Sequence, residues 1–259
     1  MLFDINAYLG AFALRELRHN DVAGLSAFME RKGIRRALVS AAEAITWKDC
    51  HSANRLLSER LAGTDGNIVP CAVINPGYAG WRRDLEEASC GMGMRAVKLY
   101  PHWHGYSLGD GCADEVVRAA TDLGLPVLIP VRAVDRRQLG WLFDVPDVPL
   151  ADIAALAGRH PDARFVVLNG LGFTGSPLAA PEGERPSNCW IEISRLPLFI
   201  SRELAVLLEV LGASRLLFGT GMPFKYPDPV LLKMDKLGAS RSETRAICGE
   251  NAAELLGLA

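Results

Sequence analysis

The sequence predicts a single-domain α/β protein, a (β/α)8 TIM barrel over residues 1–259, and three observations carry that reading. The chain has the length of one eight-stranded barrel and is too long for most other single-core folds. Short apolar runs rich in β-branched residues alternate with longer amphipathic stretches, as repeated βα units around a parallel sheet require. Eight such runs occur, the closure number of this barrel.

In order they are MLFDINAYL (1–9), RRALVSAAEA (35–44), NIVPCAVINP (67–76), MRAVKLYP (94–101), LPVLIPVR (125–132), ARFVVLNGLG (163–172), CWIEISR (189–195) and RLLFGTGMP (215–223). Helix punctuation falls between them. Asn20 and Asp21 can cap a helix that ends near Gly33, and Gly63 follows a stretch that opens near Asp49. Ser240 and Glu243 form a capping-box pattern before a final helix running out at Gly257. Residues 174–187, rich in Pro, Gly and Ser, read as a loop on the C-terminal face of the barrel, where such folds keep their sites.

Composition narrows the partners. Lys+Arg total 28 against Asp+Glu 30 with the signs intermixed, which leaves no electrostatic footprint for nucleic acid or an anionic membrane. The apolar runs are strand-sized, and MLFDINAYLG lacks the basic start of a signal peptide, so the expectation is a cytoplasmic protein with a small-molecule ligand. The six cysteines include no Cys-x-x-Cys pair and read as reduced thiols.

Six local patterns, in order and at barrel spacing, carry a resemblance: FDINAYLG, RAVKLYPHWHGYSL, LGLPVLIPVR, HPDARFVVLNGLG from His160, RLLFGTGMP and GENAAELLGL. Together they resemble the amidohydrolase-related family of metal-dependent hydrolases, which includes small-molecule decarboxylases and lactone hydrolases. The resemblance spans nearly the whole chain. It implies a barrel with its site at the C-terminal face and, in ordinary members, zinc or a similar divalent ion. The family's first strand reads Asp-x-His-x-His-Leu-Gly, its fifth carries a ligand histidine, its sixth ends in His-x-Gly, and its eighth reads Phe-Gly-Ser-Asp-x-Pro. Those ligand positions fall here on Asn6 and Tyr8, Pro130, Asn169 and Gly221. Neutral amides, a phenol and residues bearing only backbone carbonyls do not repay desolvation of a divalent cation. The expectation is therefore no metal ligands and no cofactor.

Strand alternation selects what points into the mouth instead: Asn6 with Tyr8, Lys98 with Tyr100, Pro130 with Arg132, and Glu192 with Ser194. Lys98, Arg132, Lys225 and Arg195 can hold an anionic ligand, or can pair with Glu43, Glu192 or Asp110 in structural ion pairs. His102 and His104 can act as acid or base near neutrality, can join His51 in a relocated metal site, or can pack on Trp103. His160 reads as structural. The candidate catalytic residues are thus His102, His104, Lys98 and Tyr8, and the candidate substrate-binding residues Asn6, Arg132, Asn169, Tyr100 and Lys225. Three functions fit: a metal-independent hydrolase, lactonase or decarboxylase for a carboxylated molecule; a non-catalytic ligand-binding or partner subunit; and a metal hydrolase with a displaced site. Barrels of the resembling family commonly pair, which leaves a homodimer open.

Overall fold

The computed structural model describes residues 1–259 and alternates strands with helices. The strand segments are β1 (Leu2–Leu9), β2 (Ile34–Ala41), β3 (Ile68–Pro70), β4 (Ala72–Val73), β5 (Val97–Lys98), β6 (Val127–Pro130), β7 (Phe165–Leu168), β8 (Cys189–Glu192) and β9 (Leu216–Leu217). All paired neighbours are parallel. Helices α1 (Val22–Arg31), α2 (Cys50–Leu61), α3 (Trp81–Glu86), α4 (Gly111–Asp122), α5 (Leu150–Arg159) and α6 (Glu203–Leu211) return the chain between strands. After β9 come α7 (Asp228–Lys236), α8 (Arg241–Arg245) and α9 (Asn251–Leu255). No helix is long and apolar enough to cross a membrane.

The nine segments make eight staves, because Cys71 divides one run into β3 and β4. Cys71 N donates to Val39 O at 2.8 Å and Ala72 N to Ala96 O at 2.9 Å, so this single run joins the β1-β2-β3 group to the group running from β4 to β9. At the opposite seam Ile5 N donates to Phe218 O (3.0 Å), Tyr8 N to Met222 O (2.8 Å) and Gly221 N to Asn6 O (2.8 Å), and the ring closes.

Helix starts follow the sequence signals. Asp21 accepts from Gly24 N, Asp49 accepts from His51 N and Ser52 N, and Ser240 and Glu243 form a reciprocal capping box. The final helix differs from expectation: it is interrupted around Gly249 rather than continuous. The Ile247 carbonyl is taken by Phe218 N at 2.9 Å, and a Cβ on Gly249 would lie 2.5 Å from Met1 O, so the segment deforms to seat against the barrel floor.

Inward side chains Phe3, Ile5, Leu38, Val69, Ala96 and Leu128 pack with others on the closing segment to fill the lower barrel. This is solid apolar core, as the β-branched and leucine-rich runs dictate. A register irregularity in β1 between Asp4 and Ala7 then changes the alternation, and Asn6 and Tyr8 enter the layer above. The floor is therefore dry and the polar chemistry is confined to the mouth.

One buried cation fixes the edge of that mouth. Lys233 of α7 donates to the carbonyls of Ile193 (2.8 Å), Ser194 (2.6 Å) and Leu196 (3.0 Å), and so pins the chain leaving β8. Lys233→Met leaves these acceptors unsatisfied and is expected to lower unfolding free energy by about 3 kcal/mol in urea titrations. Lys236→Met, which removes only an exposed pair with Asp235, is expected to leave the midpoint unchanged. Equal midpoints for the two variants would contradict this role.

Candidate functional site

The C-terminal ends of β1, β2, β5, β7 and β8 bring polar groups to one point. Lys98 ends β5 and is fully buried, and its Nζ donates to Ser40 Oγ (2.9 Å) and Asn6 Oδ1 (3.4 Å) and lies 4.2 Å from the centre of the Tyr8 ring. Asn6 Nδ2 donates to Asn169 Oδ1 at 3.3 Å, and Lys225 Nζ reaches the same oxygen from the other side at 2.6 Å. Two ammonium groups thus converge on a pair of amides. Neither is ion-paired, since the salt bridges of this chain involve other residues.

Two carboxylates complete the centre through hydrogen bonds to backbone and hydroxyl groups. Glu192 accepts from Asn169 N (3.0 Å), Ser194 Oγ (3.0 Å) and Ser194 N. Asp4 accepts from Asn6 N (2.8 Å), Thr220 N (3.0 Å) and the Thr220 hydroxyl. The glycines after β9 make room for this arrangement. A Cβ on Gly219 would lie 2.5 Å from Glu192 Cγ. At Gly221, where φ is +74°, the backbone conformation favours glycine, and the Lys225 side chain passes 3.3–3.5 Å from where a Cβ would be.

Burial moves these groups toward neutrality. It pulls the Lys98 and Lys225 ammonium groups down to about 8, against the opposing pull of nearby anions that include Glu192. It pushes Asp4 up to about 7 despite the donors it accepts from. Tyr8 and Tyr100, both 1% exposed, are pushed up by the same desolvation, and neither hydroxyl has a partner of good geometry.

The central chamber is closed above. Phe224 packs edge-on against Tyr8 (centroids 4.9 Å apart) and Phe12 (5.0 Å), and Phe12 continues to Trp103 at 6.4 Å. Beside Tyr100, Pro130 and Arg132 only about 10 Å³ of space remains, about one water's worth. The open approach lies on the other side of Phe224, in a groove of about 500 Å³ lined by Arg15, Arg18, Ser194, Thr220, Lys225 and Tyr226 among others. Lys225 belongs to both the buried centre and this groove.

Of the residues singled out in the sequence, Asn6, Tyr8, Lys98, Tyr100, Asn169 and Lys225 come together. The structure draws three others away. Arg132 is held by Asp147, Nε to Oδ1 at 2.7 Å with a second contact from Nη2. His102 Nδ1 lies 3.0 Å from Pro146 O on the rim. His104 turns its Nε2 to Ala44 O (2.9 Å) and is depressed by burial, which favours a neutral ring. His51 lies beside Glu87 (3.1 Å), and no group of three His, Cys, Asp or Glu side chains is arranged to hold a metal. Asp4, Ser40, Thr220 and the groove arginines were not anticipated. A carboxylate inside an apolar strand was a readable signal for Asp4, whereas a lone serine or loop arginine has none.

A profile of the amidohydrolase family matches residues 9–258. The chain belongs to the amidohydrolase family. No curated protein matches it by sequence. Solved structures similar to this amidohydrolase-family barrel include 2,6-dihydroxybenzoate decarboxylase from Rhizobium, at 15% identity and TM-score 0.72, covering 99% of this chain and 98% of that one. A second is dihydroxybenzoic acid decarboxylase from Polaromonas with bound manganese and 2-nitroresorcinol, at 16% identity and TM-score 0.74, covering 99% and 97%. A third is 5-carboxyvanillate decarboxylase from Sphingomonas paucimobilis, at 15% and 0.72, covering 100% and 99%. At such identities the likeness shows the fold. The donor set at the family's metal position does not fit a divalent ion, because two ammonium groups point at amides where anionic or imidazole ligands are needed.

The charge arrangement has a pH signature. Folded Asp4 keeps its proton to about 7 against an ordinary 3.8, so the folded state binds more protons in that interval and Asp4's contribution falls as pH rises through it. Lys98, Lys225 and Lys233 lose theirs near 8 against an ordinary 10.5, so their contribution rises with pH above about 8. Asp4→Asn is therefore expected to gain stability relative to wild type between about pH 4 and 7, by at most about 1.4 kcal/mol per pH unit. Thermal unfolding across that window checks it, and a constant gap between the two proteins would count against a buried, proton-binding Asp4.

Proposed function

We propose that the chain is a metal-independent small-molecule enzyme of the amidohydrolase family that acts on a carboxylated substrate entering through the groove, with lyase chemistry of the decarboxylase type. The observation that carries this reading is Lys225, an ammonium without an ion-pair partner that lines an open groove, backed by Lys98 on the shared amide pair. A fixed cation in a desolvated site attracts a carboxylate and stabilises the electron pair left when carbon dioxide departs, which is preorganised electrostatic catalysis. Asn169 and Ser194 hold the Lys225 nitrogen in place, so little reorganisation is needed. The similar structures named above are decarboxylases of carboxylated aromatics, which supports that substrate class and does not fix the substrate.

A non-catalytic binding role is the second reading, favoured by the Tyr8–Phe224–Phe12 stack that seals the central chamber. A panel of benzoates and oxo acids, assayed with excess chelator for thermal shift and for carbon dioxide release, separates the two. The expected result is saturable stabilisation with turnover that chelator leaves unchanged and that Lys225→Met lowers by about a hundredfold or more. Saturable stabilisation without turnover establishes the binding role. Turnover that appears only with added manganese overturns both.

A further inference from the structure

We propose that Lys225 is a covalent catalyst: its amine condenses with the carbonyl carbon of an oxo acid in the groove to form a protonated imine. The inference rests on the reading of the groove as a carboxylated-substrate site, and it names the substrate class.

Lys225 differs from the other five lysines of the chain. Lys32 and Lys236 are paired with Asp228 and Asp235, and Lys233 directs its donors to three carbonyls. Lys98 is sealed under the aromatic stack, and Lys48 is exposed on the surface. Lys225 alone is both largely withdrawn from water and open to a cavity. Nucleophilic lysines need that combination, since desolvation and neighbouring cations favour the free amine while a channel admits the carbonyl compound. Lowered to about 8 by burial, roughly one amine in ten is unprotonated at pH 7.

The surroundings supply the remaining parts. Ser194 Oγ lies 3.5 Å from Lys225 Nζ and donates to Glu192 Oε2 at 3.0 Å, a path along which a proton can pass to and from the reacting nitrogen and oxygen. Arg15 and Arg18 line the groove against the one acid Glu16, and Arg15 keeps a buried Nε without a partner while Nη2 donates to Phe224 O. The two arginines give the groove a cationic lining that suits a carboxylate.

The step balances without a co-reactant. The ammonium and the carbonyl yield a protonated imine and one water: a C–N bond forms, the C–O bond breaks, and the oxygen leaves with two of the three ammonium hydrogens. With a 3-oxo acid, the bond to the carboxylate then breaks, its electron pair passes into the imine to give an enamine, and carbon dioxide departs. A proton from solvent on carbon and one water returned to the imine release the ketone and restore the ammonium.

Trapping tests this directly. The full chain is incubated with pyruvate or with acetoacetate and sodium cyanoborohydride, and adducts are located by intact-mass and peptide mass spectrometry. Expected is one adduct per chain at Lys225, at least about tenfold above that on Lys48. With acetoacetate the adduct is expected to carry only the carbon skeleton left after loss of carbon dioxide. Lys225→Arg, which keeps the charge and removes the nucleophile, is expected to abolish the adduct and retain stabilisation by pyruvate. Absence of an adduct from wild type, or one spread evenly over surface lysines, overturns the covalent role. If pyruvate and benzoates still stabilise the protein in that case, the groove remains a carboxylate site; if neither does, that reading fails as well.

Discussion

Buried charge at the barrel mouth is the constraint around which the upper half of this molecule is arranged. Lys98 and Lys225 cannot leave the centre without abandoning Asn6, Ser40 and Asn169, and the carboxylates of Asp4 and Glu192 lie within electrostatic reach. None of the four forms a direct ion pair with another; each is held by neutral donors or acceptors that were already part of the backbone or of short polar side chains. In a dry interior, removing any one partner leaves a charge or a dipole stranded, and that penalty exceeds the net worth of the contact that was lost. Ordering of the mouth therefore follows from charge satisfaction, while the floor below it is ordered by apolar packing alone.

The same constraint explains features of the closing seam that packing does not. Gly219 is small because Glu192 crosses its Cα, and Gly221 is glycine because its φ of +74° lies in the left-handed region. Asn169 takes a left-handed φ of 55°, a conformation asparagine tolerates better than most residues. Its N–H faces Glu192, its amide oxygen Lys225, and its amide nitrogen the Arg132 carbonyl. Lys233 then fixes the carbonyls that follow Glu192, so the position of the Ser194 hydroxyl is set by a helix outside the barrel. The site is consequently rigid on the β8 and β9 side and capped by ring stacking on the β1 side.

Much of this was legible in order and in kind. Eight apolar runs, the caps at Asp21, Asp49 and Ser240, and the family patterns sufficed for a barrel, because strand period and cap chemistry are local properties. Parity along the strands brought out Lys98, Tyr100, Asn6 and Tyr8 as one group. Arg132 shows where such reasoning stops: its partner Asp147 lies 15 residues on, beyond a loop whose path no periodicity encodes. The directions of the histidines were not legible for a related reason, since a His-x-His pair in a turn has no fixed direction, and here one ring meets Pro146 and the other Ala44. The groove was not legible, being made by loops after β1 and β9 that are distant in sequence.

Lys98 and Lys225 converge on the amides of Asn6 and Asn169, so the cations that this mouth holds are ammonium groups. Amide oxygens aimed at one point in a low-dielectric interior need a positive partner, and those of Asn6 and Asn169 find it in the two lysines. Lys225 reaches that point from the loop after β9, passing beside Gly221, whose φ of +74° suits a residue without a side chain. An ammonium differs from a metal ion in one respect that matters for chemistry: it can give up a proton and become a nucleophile, whereas a metal acts through the ligands it binds. Because Lys225 arrives from the rim, its ammonium lies at the edge of the groove and not on the covered axis of the barrel. Cover over the centre by Phe224 is then compatible with an open approach to Lys225, since the ring that packs on Tyr8 also forms a wall of the groove.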